Sequence, residues 1–86
     1  MKKLEKILKV FASARRLSIL SYLANRKSAT VGQITDEIKL SFKSTSRHLS
    51  VLFAADLVEK EQRSLEVHYR LSTSAIRMLR TILTIL

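Results

Sequence analysis

The sequence predicts a mainly α-helical fold with one small β-hairpin, its elements running α-α-α-α-β-β-α as a single domain over residues 1–86. Two observations carry this reading. Apolar residues recur at intervals of three and four along most of the chain, the spacing at which an amphipathic helix buries one face. Once, at Val67, Tyr69 and Leu71 with His68 and Arg70 between them, the period drops to the two of a β-strand.

Leu4, Ile7, Leu8 and Phe11 define the first helix, with Lys2, Lys3, Lys6 and Lys9 elsewhere on its circumference. Ser13 is suited to cap a second helix running to Ala24, whose broad apolar face marks a core element. The polar run Asn25-Arg26-Lys27-Ser28 ends it. Thr30 and Gln33 then have the spacing of a capping box, and Val31, Ile34 and Ile38 form the stripe of a short third helix. Gly32 falls in its first turn. A glycine there costs about 1 kcal/mol relative to alanine, so close packing against a neighbouring helix is expected.

Lys39-Leu40-Ser41 joins this helix to a fourth, in which Thr45, Leu49 and Leu52 share one face while Lys43, Arg47 and Ser50 project from the other. Two short helices so joined make a helix-turn-helix. The outward face combines long cations with small hydroxyls and holds no Asp or Glu, so it can approach a polyanion and read base edges. A solvated face on a plain helical hairpin would show the same pattern. Asp56 is the expected helix stop, since Asp tolerates the left-handed conformation. Leu57 to Glu61 then pairs with Val67 to Leu71, and a hairpin directly after a helix-turn-helix is a wing. The connection Gln62-Arg63-Ser64-Leu65-Glu66 lacks Gly and Asn, so a loop longer or more mobile than a two-residue turn is expected. Ser72-Thr73-Ser74 caps the last helix, with Ile76, Leu79, Leu83 and Leu86 on one stripe. So small a domain has little core to spare for both terminal stripes. Leu4, Ile7 and Phe11, together with Ile76, Leu79, Leu83 and Leu86, are therefore expected at a homodimer interface.

Sixteen Lys and Arg against seven Asp and Glu give a net charge of +9, which favours nucleic acid or an anionic membrane surface as partner. The start, Met1-Lys2-Lys3 and then apolar residues up to Ala12-Ser13-Ala14, superficially resembles a secretory signal. Glu5, Lys6 and Lys9 interrupt what would be its apolar centre, so a mature, cytoplasmic protein is expected. With no cysteine there is no disulfide, thiolate metal site or thiol nucleophile, and His48 and His68 alone are too few for a metal centre. No cofactor is expected. No acid, base and nucleophile converge in the pattern, which argues against an enzyme.

The order of elements, with Ala14-Arg15-Arg16-Leu17-Ser18-Ile19-Leu20, Thr30-Val31-Gly32-Gln33-Ile34, Ser44 to Leu52 and Leu57-Val58, resembles an ArsR-type winged-helix repressor along the whole chain. Its most specific part is Ser46-Arg47-His48-Leu49 followed by Val51-Leu52 and a wing ending in Tyr69-Arg70-Leu71. The resemblance implies a homodimer, joined by its first and last helices, that represses transcription by occupying an operator. Many members sense metals through Cys pairs in the helix-turn-helix or His and acidic clusters on the last helix. Here Val31 to Ile38 holds no Cys, and Ser74 to Leu86 holds no His, Asp, Glu or Cys, so the chain looks like a member without those sites. Asp56 stands where the family usually has glycine.

On this reading Lys43, Ser44, Ser46, Arg47 and Ser50 face the major groove of double-stranded operator DNA, and Arg63 at the wing tip reaches the minor groove or phosphates. Arg15, Arg16, Lys27 and the amino-terminal lysines add sequence-independent attraction. His48, beside the buried stripe, reads as partly buried and structural, with DNA contact as its alternative; His68 reads as exposed. Two rivals stand: a protein-interaction module whose basic face is incidental, and a membrane-surface protein using the basic first helix. The operator and any inducer are not encoded in these patterns.

Overall fold

A computed structural model of the chain describes Met1 to Ile85, apart from the side chains of Leu83 and Ile85. Helix α1 (Lys2–Phe11) turns Ile7, Val10 and Phe11 inward and ends at Ala12. Ser13 then starts α2 (Ala14–Ala24), its Oγ accepting from the Arg16 N–H at 3.3 Å. Ile19, Leu20 and Leu23 of α2 are fully buried and form the centre of the core.

The sheet holds one strand more than the expected hairpin. Ala29–Thr30 (β1) pairs antiparallel with the second wing strand, Ala29 opposite Tyr69 and Thr30 opposite His68. Two residues are too few for a period to show in sequence. Thr30 also caps α3 (Val31–Ile38) through the complete capping box: Gln33 N–H donates to Thr30 Oγ1 at 3.1 Å, and Thr30 N–H to Gln33 Oε1 at 2.9 Å. Gly32 is not packed against a helix as expected. It is exposed, and a Cβ built there would meet only Thr30 Oγ1, at 3.9 Å.

Lys39, in the left-handed region at φ 53°, turns the chain from α3 into α4 (Phe42–Ala54). The end of α4 is a Schellman motif. Asp56 at φ 59° donates its N–H to Phe53 O, Leu57 N–H reaches back to Leu52 O at 3.0 Å, and the two leucines bury together. Strands β2 (Val58–Arg63) and β3 (Glu66–Leu71) run antiparallel from Val58 opposite Leu71 to Arg63 opposite Glu66, giving the sheet order β1-β3-β2. The expected long or mobile connection is instead a tight two-residue turn, Ser64-Leu65. Ser64 takes up the positive φ (57°) that glycine usually supplies, while Gln62 Nε2 donates to Ser64 O across the turn at 3.0 Å. The chain closes with α5 (Thr73–Ile85), whose Ala75 is fully buried in the same core.

Candidate nucleic-acid interface

Three buried side chains set the orientation of α4. Thr45, Leu49 and Leu52 have no exposed surface, and Thr45 satisfies its hydroxyl by donating to Ser41 O at 2.9 Å. Ser41 caps the helix, its Oγ accepting from Ser44 N–H at 3.1 Å. With that face fixed inward, Lys43, Arg47 and Ser50 are all exposed on the outer face, while Ser44 and Ser46 sit half-buried on its two flanks. Ser50 Oγ donates to Ser46 O at 3.0 Å, so its proton is used within the helix and its oxygen is the free acceptor. No acid lies on α4, and the acids of the preceding helix, Asp36 and Glu37, are on α3.

The amino end of α2 joins this face. His48, half-buried, has its pKa lowered from the ordinary 6.5, first by burial and then by the positive charges of Arg16, Arg15 and Arg47. Burial and the positive charges of these three arginines all disfavour protonation of the imidazole. Arg16 is also structural: its Nε donates to Val10 O at 2.7 Å and its Nη2 to Lys9 O at 3.2 Å, capping the carbonyl end of α1. A cation there suits the helix dipole and locks the elbow between α1 and α2. Six residues separate Arg16 from Val10, beyond the reach of a periodicity argument.

The wing differs from expectation in charge. Arg63 is held by Glu61, Nε to Oε1 at 2.6 Å, and Arg70 by Glu59 at 2.9 Å and Glu61 at 3.6 Å. From Val58 to Leu71 there are three Glu and three Lys or Arg, so the wing carries no net positive charge. The Arg63 contacts depress the Glu61 pKa, by hydrogen bond first and then by charge. Two exposed apolar residues were not anticipated as site members: Phe42, 62% exposed at the start of α4, and Leu65, 95% exposed at the wing tip. For Phe42 helical spacing gave no signal, since 42, 45, 49 and 52 fall on one stripe; as the first residue of α4 it projects beyond the elements that bury the other three.

His68 is not exposed as expected. Its side chain retains 19% exposure and its Nδ1 is buried without a partner, because β1 pairs alongside it and α3 packs on the same strand. Among the described residues no three His, Cys, Asp or Glu side chains come together to hold a metal ion, and no helix is long and apolar enough to cross a membrane.

Of the residues expected at a subunit interface, Phe11 instead packs into the chain's own core, with little surface left to offer a partner. Ile7 is half-buried beside it. Leu4 remains 50% exposed and is joined by Met1 and by Leu8 at 56% in an apolar stripe along α1. On α5, Ile76 and Leu79 line a groove against β3 and the end of α2, and Ile82 is exposed. The Leu83 side chain and Leu86 lie outside the described residues.

The family model for bacterial regulatory proteins of the arsR family matches residues 13–60, from the α2 cap into β2 and more than half of the chain. The transcriptional activator HlyU of Vibrio cholerae is 32% identical over 71 residues, covering 83% of this chain; the match spans 65% of that curated relative's length. The structure of reduced HlyU from Vibrio cholerae superposes with a TM-score of 0.83 over 94% of this chain and 85% of its own. NolR from Sinorhizobium fredii, 28% identical, superposes with a TM-score of 0.86 over 98% of this chain and 84% of its own. A winged helix-turn-helix DNA-binding domain from Mycobacterium bovis, described as homodimeric, shares the fold at 24% identity and a TM-score of 0.89, covering 98% of this chain and 78% of its own.

Proposed function

The chain belongs to the bacterial ArsR family of regulatory proteins, and on that footing we propose that it is a dimeric transcriptional repressor that places α4 in the major groove of an operator. One observation carries the reading: the acid-free outer face of α4, where Lys43, Arg47 and Ser50 stand exposed over a buried Thr45, Leu49 and Leu52 anchor, with Arg15 and Arg16 close by at the end of α2. A helix fits the major groove, and a guanidinium on its outer face can make a bidentate contact to guanine. Lys43 and Arg47 supply the direct contacts, Ser44, Ser46 and Ser50 act as short-range acceptors or donors, and Arg15 adds phosphate attraction. Arg63 reaches DNA only by leaving Glu61, so the wing contributes less affinity than α4.

The dimer is proposed through Met1, Leu4 and Leu8 of α1 with Ile82 of α5, since these apolar side chains are exposed in the single chain. The Mycobacterium bovis domain of the same fold, described as homodimeric, favours a dimer here as well. Two copies would present two recognition helices to a roughly palindromic site about one helical turn apart. Repression follows from occupying the promoter. The activator HlyU among the relatives gives activation as a second reading.

Genomic footprinting followed by gel shifts at stepped salt tests the proposal. A palindromic footprint is expected, and Arg47→Ala should weaken binding and relax preference at one base position, by about 1–3 kcal/mol. Unchanged affinity and preference in a folded Arg47→Ala protein would refute the placement of α4. Transcription from the footprinted promoter in vitro separates repression from activation, and light scattering on Leu8→Asp tests the interface.

A further inference from the structure

A groove of about 520 Å³ lies between the end of α2, β3 and α5, and none of its lining comes from α4. Its floor is apolar: Leu23 is buried, Leu71 and Leu79 are half-buried, and Ile76 is 38% exposed. Its rim is cationic. Arg26, Lys27 and Arg80 border it, none has a carboxylate partner among the described residues, and the lining contains no Asp or Glu. The fourth cation, Arg70, is already held by Glu59 and Glu61. Arg26 rests its guanidinium on the Tyr22 ring, 4.3 Å from the centroid, so Lys27 and Arg80 are the freer cations of the rim.

An apolar trough with uncompensated cations at its edge matches an amphipathic anion, and its volume lies in the range of small-ligand sites, about 300–1,000 Å³. We propose that this groove binds a medium-chain alkyl carboxylate, the chain lying along Leu23, Leu71, Ile76 and Leu79 and the carboxylate meeting Arg80, Lys27 and Arg26. A second copy's α1 is a poor occupant. Its exposed stripe is bordered by Lys2, Lys3, Lys6 and Lys9 with only Glu5 in opposition, so cations would face cations. DNA offers phosphates but no alkyl surface to cover the floor. The site stands apart from the reading of α4, because neither its lining nor its test involves DNA.

Calorimetric titration of the full chain with hexanoate, octanoate and decanoate below their micelle concentrations, with backbone-amide NMR on the same samples, tests it. One saturable site per chain is expected, with affinity rising roughly two- to fourfold per methylene as more chain is buried. Octanol and octyltrimethylammonium should bind at least tenfold more weakly than octanoate. Arg80→Glu and Lys27→Glu, both at exposed positions, should each weaken octanoate tenfold or more, and the shifted amides should be those of Lys27, Leu71 and Arg80. Equal binding of octanol, no saturable site, unchanged affinity in both variants, or shifts confined to Met1–Leu8 would overturn the proposal. So would shifts of the groove amides on dilution of the protein alone, which would mean that a second copy fills the groove.

Discussion

The Ser72 hydroxyl ties the end of α4 to the start of α5, and its removal is a sharp test of how α4 is braced. The side chain is 6% exposed. Its Oγ donates to Asp56 O at 2.7 Å, tying it to the end of α4, and accepts from Ala75 N–H at 3.0 Å, which caps α5. Its own N–H bonds Leu57 O at 3.0 Å at the root of the wing, and that bond survives substitution. Ser72→Ala removes both side-chain bonds. Loss of an N-cap costs about 1 kcal/mol. Leaving the Asp56 carbonyl without its partner costs about another 1–2 kcal/mol. The sum, about 2–3 kcal/mol, corresponds in a domain of this size to a fall in Tm of roughly 10–20 °C. Thermal unfolding followed by circular dichroism would measure it, with Ser74→Ala, at an exposed position in the same capping run, as the control expected to stay within about 0.5 kcal/mol. A Ser72→Ala protein that melts within a few degrees of the parent, or a Ser74→Ala protein that falls as far, would refute the assignment of Ser72 as the brace.

Asp56→Gly should stabilise the chain by about 1 kcal/mol, because it relieves a side chain at φ 59° while keeping the Schellman bonds; the urea midpoint should rise with the slope unchanged. Glu61→Gln frees Arg63 and removes a negative charge from the wing, so DNA affinity should rise and the salt dependence steepen by up to about one phosphate equivalent, whereas Arg63→Ala should matter less than Arg47→Ala. His48 has a folded pKa below the ordinary 6.5, so the unfolded chain takes up its proton first as pH falls. Its contribution to stability is complete above 6.5 and is lost as pH drops through that value towards the folded pKa. Melting between pH 7.5 and 5.5 should therefore show a steeper decline for the parent than for His48→Gln, and parallel curves would contradict the burial and the arginine cluster.

The candidate site was legible where its determinants are local. The stripe Thr45, Leu49, Leu52 and the opposed Lys43, Arg47, Ser50 follow from helical spacing alone, and the two sets lie on opposite faces of α4 as spaced. Ser13 and Thr30 were readable as caps because a cap and its N–H partner lie three residues apart. Asp56 was readable as a left-handed stop because few other residues tolerate that geometry. The run Ser72-Thr73-Ser74 showed that a cap was there but not which serine served, since that depended on which hydroxyl could also reach Asp56.

What the sequence by itself determined, then, is the set of elements and the outward chemistry of α4, both written in intervals of two to four residues. The tertiary structure decided the rest through partners distant in the chain. Pairing Thr30 with His68 created β1 and buried an imidazole that strand alternation placed outside. Arg16 became the cap of α1 because folding brought Val10 O within 2.7 Å of it. Arg63 lost its freedom to Glu61 once a two-residue turn brought β2 and β3 into register, and the wing became neutral. Phe11 was claimed by the core and Leu8 left outside, although both sit on one apolar stripe in sequence. Periodicity defines the width of such a stripe; the packing of neighbouring helices decides which part of it is covered.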